Sequence, residues 1–130
     1  MRKETKNWLD TAKYDITTAQ HMLNTGRYIY VIFMCHLAIE KILKAVINEK
    51  TGKLPPKTHS LLYLLELSKV KLSEDLLDFV GALNNASIVT RYPEDLKRLI
   101  SNYRKGIAQE YLKKTGRIIR CIKKDPRLAQ

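Results

Sequence analysis

The chain has 130 residues, 45% of them apolar and 28% charged, which is the length and composition of one folded domain spanning 1–130 rather than of a disordered or fibrous protein. Lysine and arginine number 24 against 13 acids, a net charge of +11, which suits either an anionic partner (RNA, DNA, a nucleotide or an acidic protein) or simply a solvated basic surface. No apolar run approaches the ~20 residues of a membrane span, and the start MRKETKNWLD has no apolar leader core, so a cytoplasmic protein is expected, without membrane association.

Trp8, Ala12, Ile16, Ala19 and Leu23 recur at helical spacing and predict a first helix over about 3–24, ended by Gly26. A second helix is expected from about Tyr28 to Glu49. Its first half is apolar on nearly every side, which marks a helix buried among neighbours. Gly52 and Pro55-Pro56 close it. SLLYLLEL predicts a short third helix with Leu61, Leu64, Leu65 and Leu67 inward, its start capped by Thr58 or His59. A fourth helix opens at Ser73 and turns Leu76, Val80 and Leu83 to the core. Asn84 to Arg98 is the weakest helical stretch: it holds NNAS, and Pro93 disfavours helix at Tyr92. A last helix runs from about Asn102 to Lys124, with an apolar stripe of Tyr103, Ile107, Tyr111, Ile118 and Ile122. Strand patterns are nearly absent. The fold class is therefore all-α: an up-and-down four-helix bundle with a possible short fifth helix, short connections making neighbours antiparallel.

The residues that could carry chemistry cluster in the middle. His36 and Glu40 lie four apart in FMCHLAIEKILKAV and share one helix face. A buried His36 needs a hydrogen-bond partner, since leaving it unpaired costs ~1–3 kcal/mol; the simplest reading is a neutral core histidine, the alternative a cleft residue. Glu40 and Lys44 have the polarity of a helix-surface ion pair, and Lys41 or Lys44 could instead hold a phosphate that Glu40 orients. His59, beside Lys57 and Thr58 at a helix start, could contact an anion. Too few ligands stand near His36 for metal, so neither metal nor cofactor is expected. Arg91 and Tyr92, in the weak region, either pack and pair with Glu94 or Asp95, or form the catalytic part of a cleft. Lys113, Arg117, Arg120 and Lys124 form a basic face on the last helix. The simplest reading is a solvated face; the alternative is contact with nucleic-acid phosphates, which would be salt-dependent, with few aromatics for reading bases. Cys35 and Cys121 match no zinc or redox spacing and are expected to be buried free thiols.

Three stretches together resemble the HEPN domain family: Trp8 with Ala12, Asp15 and Ala19; FMCHLAIEKILKAVI followed by PPKTHSLLYLL; and TRYPED before the last helix. The resemblance spans essentially the whole chain, in order. It implies a helical bundle that usually pairs as a homodimer and often acts with a minimal nucleotidyltransferase in a two-component, toxin–antitoxin-like module; the basic surface adds nucleotide or RNA as the expected ligand. Other members of the superfamily are metal-independent ribonucleases, with an arginine followed a few residues later by a histidine at the dimer cleft. That pattern is missing: Arg27 precedes His36 by eight intervening residues, and no histidine follows Arg91. The leading expectation is thus a binding and interaction protein, with a ribonuclease using Arg91 and Tyr92, or a purely structural dimer, as the alternatives.

Overall fold

The structure is a computed structural model that describes residues 1–92 and 94–128; Pro93 of the Arg-Tyr-Pro stretch lies outside the described residues. Its elements are α1 (Lys3–Asn24), α2 (Tyr28–Thr51), α3 (Leu61–Ser68), α4 (Glu74–Arg91), α5 (Leu96–Asn102) and α6 (Lys105–Lys123), with no strand among the described residues. The result is the expected helical bundle, with α3 and α5 as short additions to four long helices.

Helix α2 occupies the middle and packs against each of the other five. Its apolar sequence explains this: Val31, Ile32, Cys35, Ala38, Ile39, Ile42 and Leu43 are all buried, too many for one stripe, so several neighbours must cover them. The tight connection after α1 turns α2 back along it, and Ala12 and Ala19 let the two backbones approach. Gly52 ends α2 in a left-handed conformation (φ 69°), and a Cβ there would meet the Arg2 guanidinium at 2.9 Å. None of the described helices is long and apolar enough to cross a membrane.

Four local expectations are corrected. Ser60, not Thr58 or His59, caps α3, accepting from the Tyr63 amide; Thr58 Oγ1 serves the Ser60 amide instead. The NNAS stretch is helical, because α4 continues to Arg91. Ser87 and Thr90 bond back to the Asn84 and Ala86 carbonyls, and Asn84 Oδ1 accepts from the Leu61 amide at 2.9 Å, so tertiary partners override weak propensity. The last helix begins at Lys105, which leaves Ile107 40% exposed and gives its core position to Ala108. Cys121 is exposed, whereas Cys35 is buried and its thiol is pushed up to about 12 by desolvation.

Candidate functional site

Phe33, His36, Glu40 and Lys44 follow one another at three- and four-residue steps, so α2 presents them as a single stripe. The return segment before α3 crosses this stripe and is tied to it twice. His36 Nε2 lies 2.9 Å from the His59 carbonyl, and His59 Nδ1 lies 2.9 Å from Glu40 Oε1. The protons follow from the partners. A carbonyl only accepts, so Nε2 of His36 carries the hydrogen and its Nδ1 is a bare lone pair. That Nδ1 has no hydrogen-bond partner and sits 3.9 Å from Glu40 Oε1. Burial pulls the His36 pKa down to about 4; Glu40 opposes that shift, and the Arg91 charge adds to it. His36 is therefore the neutral core histidine, with the His59 carbonyl rather than Glu40 as its partner.

Glu40 is ionised. Burial raises its pKa, but the hydrogen bond from His59 and the Lys44 ammonium, 3.1 Å from Oε2, outweigh burial and leave it below the ordinary value. An ionised carboxylate is acceptor-only, so His59 Nδ1 carries the hydrogen and a neutral His59 keeps its Nε2 lone pair free. The His59 side chain is 67% exposed. The expected surface pair of Glu40 and Lys44 is instead a buried one, 2% and 6% exposed, with the Lys44 ammonium over the Trp8 ring at 5.6 Å. Lys41 reaches Asp15 on α1 at 3.9 Å. Both lysines thus face α1, away from the cleft described next. Burial raises the Asp15 pKa against the pull of Lys41.

Arg91 ends α4 and lays its guanidinium over the Phe33 ring, 4.8 Å from the centroid. It makes no ion pair with Glu94 or Asp95; Asp95 caps α5 by accepting from the Arg98 amide. Nε and Nη2 of Arg91 are buried with no hydrogen-bond partner among the described residues. Beside them opens a cleft of about 270 Å³ lined by His59, Ser60, Asn84, Ser87, Arg91 and Tyr92. The fold therefore gathers His36, Glu40, His59, Arg91 and Tyr92, although sequence separates them by up to 56 positions (from 36 to 92). Asn84, Ser87 and Phe33 also belong to the site, and the sequence reading does not reach them; only the polar break of NNAS in an apolar helix hints at the first two.

Lys113, Arg117, Arg120 and Lys124 lie on or just past α6 and are exposed. Arg117 approaches Asp75 at 3.6 Å, and no other cation of this face is in an ion pair among the described residues. Among the described residues no cluster of histidine, cysteine and acid could hold a metal ion.

Solved structures share the architecture. TT1696 from Thermus thermophilus is 25% identical with a TM-score of 0.80, over 94% of this chain and 98% of that one. ST0689, described as an archaeal HEPN homologue, is 20% identical with a TM-score of 0.74, over 95% and 97% of the two chains. No curated protein matches. The HEPN domain profile matches residues 5–125, nearly the full length, and the chain belongs to the HEPN domain family.

Proposed function

We propose that this chain is a nucleotide- or RNA-binding interaction protein, working as a homodimer beside a minimal nucleotidyltransferase in a two-component, toxin–antitoxin-like module. The observation that carries the reading is the pair of unpartnered, buried N–H groups on Arg91, set at a cleft with His59. Buried guanidinium donors without acceptors cost free energy, and a phosphate oxygen satisfies them with charge-assisted bonds. The net charge of +11 and the exposed cations of α6 suit the same class of ligand. Ile88, Val89 and Tyr92, 58%, 50% and 76% exposed on the last turns of α4 and just beyond, suit a second copy of the chain.

Inorganic pyrophosphate titrated by calorimetry at low ionic strength tests the cleft. Arg91→Ala is expected to weaken binding by roughly 10- to 100-fold, the worth of a hydrogen bond to a charged group. An unchanged affinity would remove Arg91 from the site. The same sample on light scattering should show twice the 15.1 kDa chain mass.

One observation favours a second reading, metal-independent RNA cleavage. Glu40 accepts from Nδ1–H of His59, so the nitrogen left to take a proton is Nε2, on a residue that lines the cleft together with Arg91, which is what a general base needs. His59 supplies the proton acceptor that the sequence lacks near Arg91. Cleavage of an RNA oligonucleotide in EDTA is expected to vanish in both His59→Ala and Arg91→Ala. Activity that survives either substitution comes from elsewhere.

A further inference from the structure

A second hollow, of about 280 Å³, lies between the start of α2 and α5, with Arg27, Tyr28, Tyr30, Leu96, Ile100 and Tyr103 among its walls. Its chemistry differs from that of the first cleft. Three phenol rings and the aliphatic side chains of Ile29, Leu96 and Ile100 give apolar surface, and Tyr30, Leu96 and Ile100 remain 57%, 57% and 51% exposed around it. None of the three phenol hydroxyls has a hydrogen-bond partner among the described residues, and the Arg27 guanidinium has no ion pair there. The walls therefore combine aromatic faces with free donors and acceptors at their edge, the two things a heteroaromatic ring recognises.

Its position ties it to the first cleft. Tyr30 of this hollow precedes Phe33 by three residues, within one turn of α2 (~5.4 Å along the axis), and Phe33 is the ring on which Arg91 rests. Tyr92 lines one cavity and Leu96, four residues on, lines the other. One is lined by tyrosines, the other by Arg91 and His59.

We propose that the tyrosine-lined hollow takes the base of a nucleotide whose phosphate lies at Arg91 and His59. The proposal rests on the phosphate-binding reading for the ligand's anionic end and adds the ring. Stacking on an aromatic side chain is worth roughly a 5- to 100-fold gain in affinity per base.

The test compares AMP, ribose 5-phosphate and adenosine by calorimetry on the full chain. AMP should bind at least tenfold more tightly than ribose 5-phosphate. Tyr30→Ala should erase that advantage while leaving ribose 5-phosphate affinity and the melting temperature unchanged, since Tyr30 is mostly exposed. Equal affinity of AMP and ribose 5-phosphate overturns the ring site and leaves the phosphate cleft standing. AMP no tighter than adenosine overturns the cleft and leaves the ring site standing; no binding by any of the three overturns both. Ile100→Glu closes one further route: if it converts a dimer to a monomer and the wild-type dimer binds no adenosine, a second copy covers the hollow and the proposal falls.

Discussion

Glu40→Ala is expected to destabilise the fold by about 3–5 kcal/mol, the range for breaking a buried ion pair by removing one partner. The substitution strips the carboxylate from two donors at once. Lys44 keeps a buried ammonium whose oxygen partner at 3.1 Å is gone, and His59 loses the acceptor 2.9 Å from its Nδ1. Its aromatic neighbour Trp8 offers Lys44 only the weaker attraction of a ring face. Urea unfolding at pH 7 measures the loss. A double substitution, Glu40→Leu with Lys44→Met, separates the pair from the packing: it should recover most of the stability, because a buried pair replaced by apolar side chains of similar volume is often close to neutral. A Glu40→Ala midpoint within about 1 kcal/mol of wild type would mean that Lys44 escapes to solvent and that Glu40 is not what holds the site.

The double substitution should also separate stability from function. In that variant the fold survives but the tautomer of His59 is no longer imposed, so RNA cleavage, where present, should fall while binding of pyrophosphate at Arg91 persists. Loss of both together would place the effect in the position of the α2–α3 connection rather than in the His59 proton.

What can be read in the sequence is set by distance along the chain. Helices α1 and α2 declare themselves because their apolar positions repeat within a turn or two, and the order of helices follows from Gly26, Gly52 and Pro55-Pro56. His36 and Glu40 share a face for the same local reason. His59 is visible only as a histidine at a helix start; that its carbonyl and its ring both bind α2 depends on how a nine-residue connection, Gly52 to Ser60, folds back, which no periodicity encodes. Arg91 reads as a partner for Glu94 and Asp95, its neighbours in sequence, yet its ring partner is Phe33, far away on α2. The weak helical signal of NNAS misleads for a physical reason. Asn84 and Ser87 have low intrinsic helix preference, but their polar atoms are consumed by Leu61 and by the helix itself, and both side chains also line the cleft. Residues that break a local rule here are residues of the site.

Acid should unfold this protein earlier than its carboxylates alone require, with His36 as the cause. The side chain is 1% exposed, and its pKa falls from the ordinary 6.5 to about 4 on folding. The unfolded chain therefore binds a proton that the folded chain refuses. The stability conferred by neutral His36 is complete above pH 6.5 and drains away as pH falls from 6.5 through 4, amounting to about 2 kcal/mol by pH 5 and about 3 kcal/mol by pH 4. Glu40 and the lowered carboxylates Asp75 and Asp125 act in the same direction, but only in the carboxylate range below about 4.5, because their folded values lie beneath the ordinary ones. Asp15, whose pKa burial raises, acts in the opposite direction, so the histidine's share of the window above the carboxylate range is the difference between the wild type and a variant without it. His36→Gln keeps a donor for the His59 carbonyl and cannot titrate, so its urea midpoint should stay level from pH 7 to 5 while that of the wild type declines. Parallel curves for the two proteins across this window would show that His36 protonates as readily folded as unfolded, its unpartnered Nδ1 taking the proton beside Glu40 at no cost.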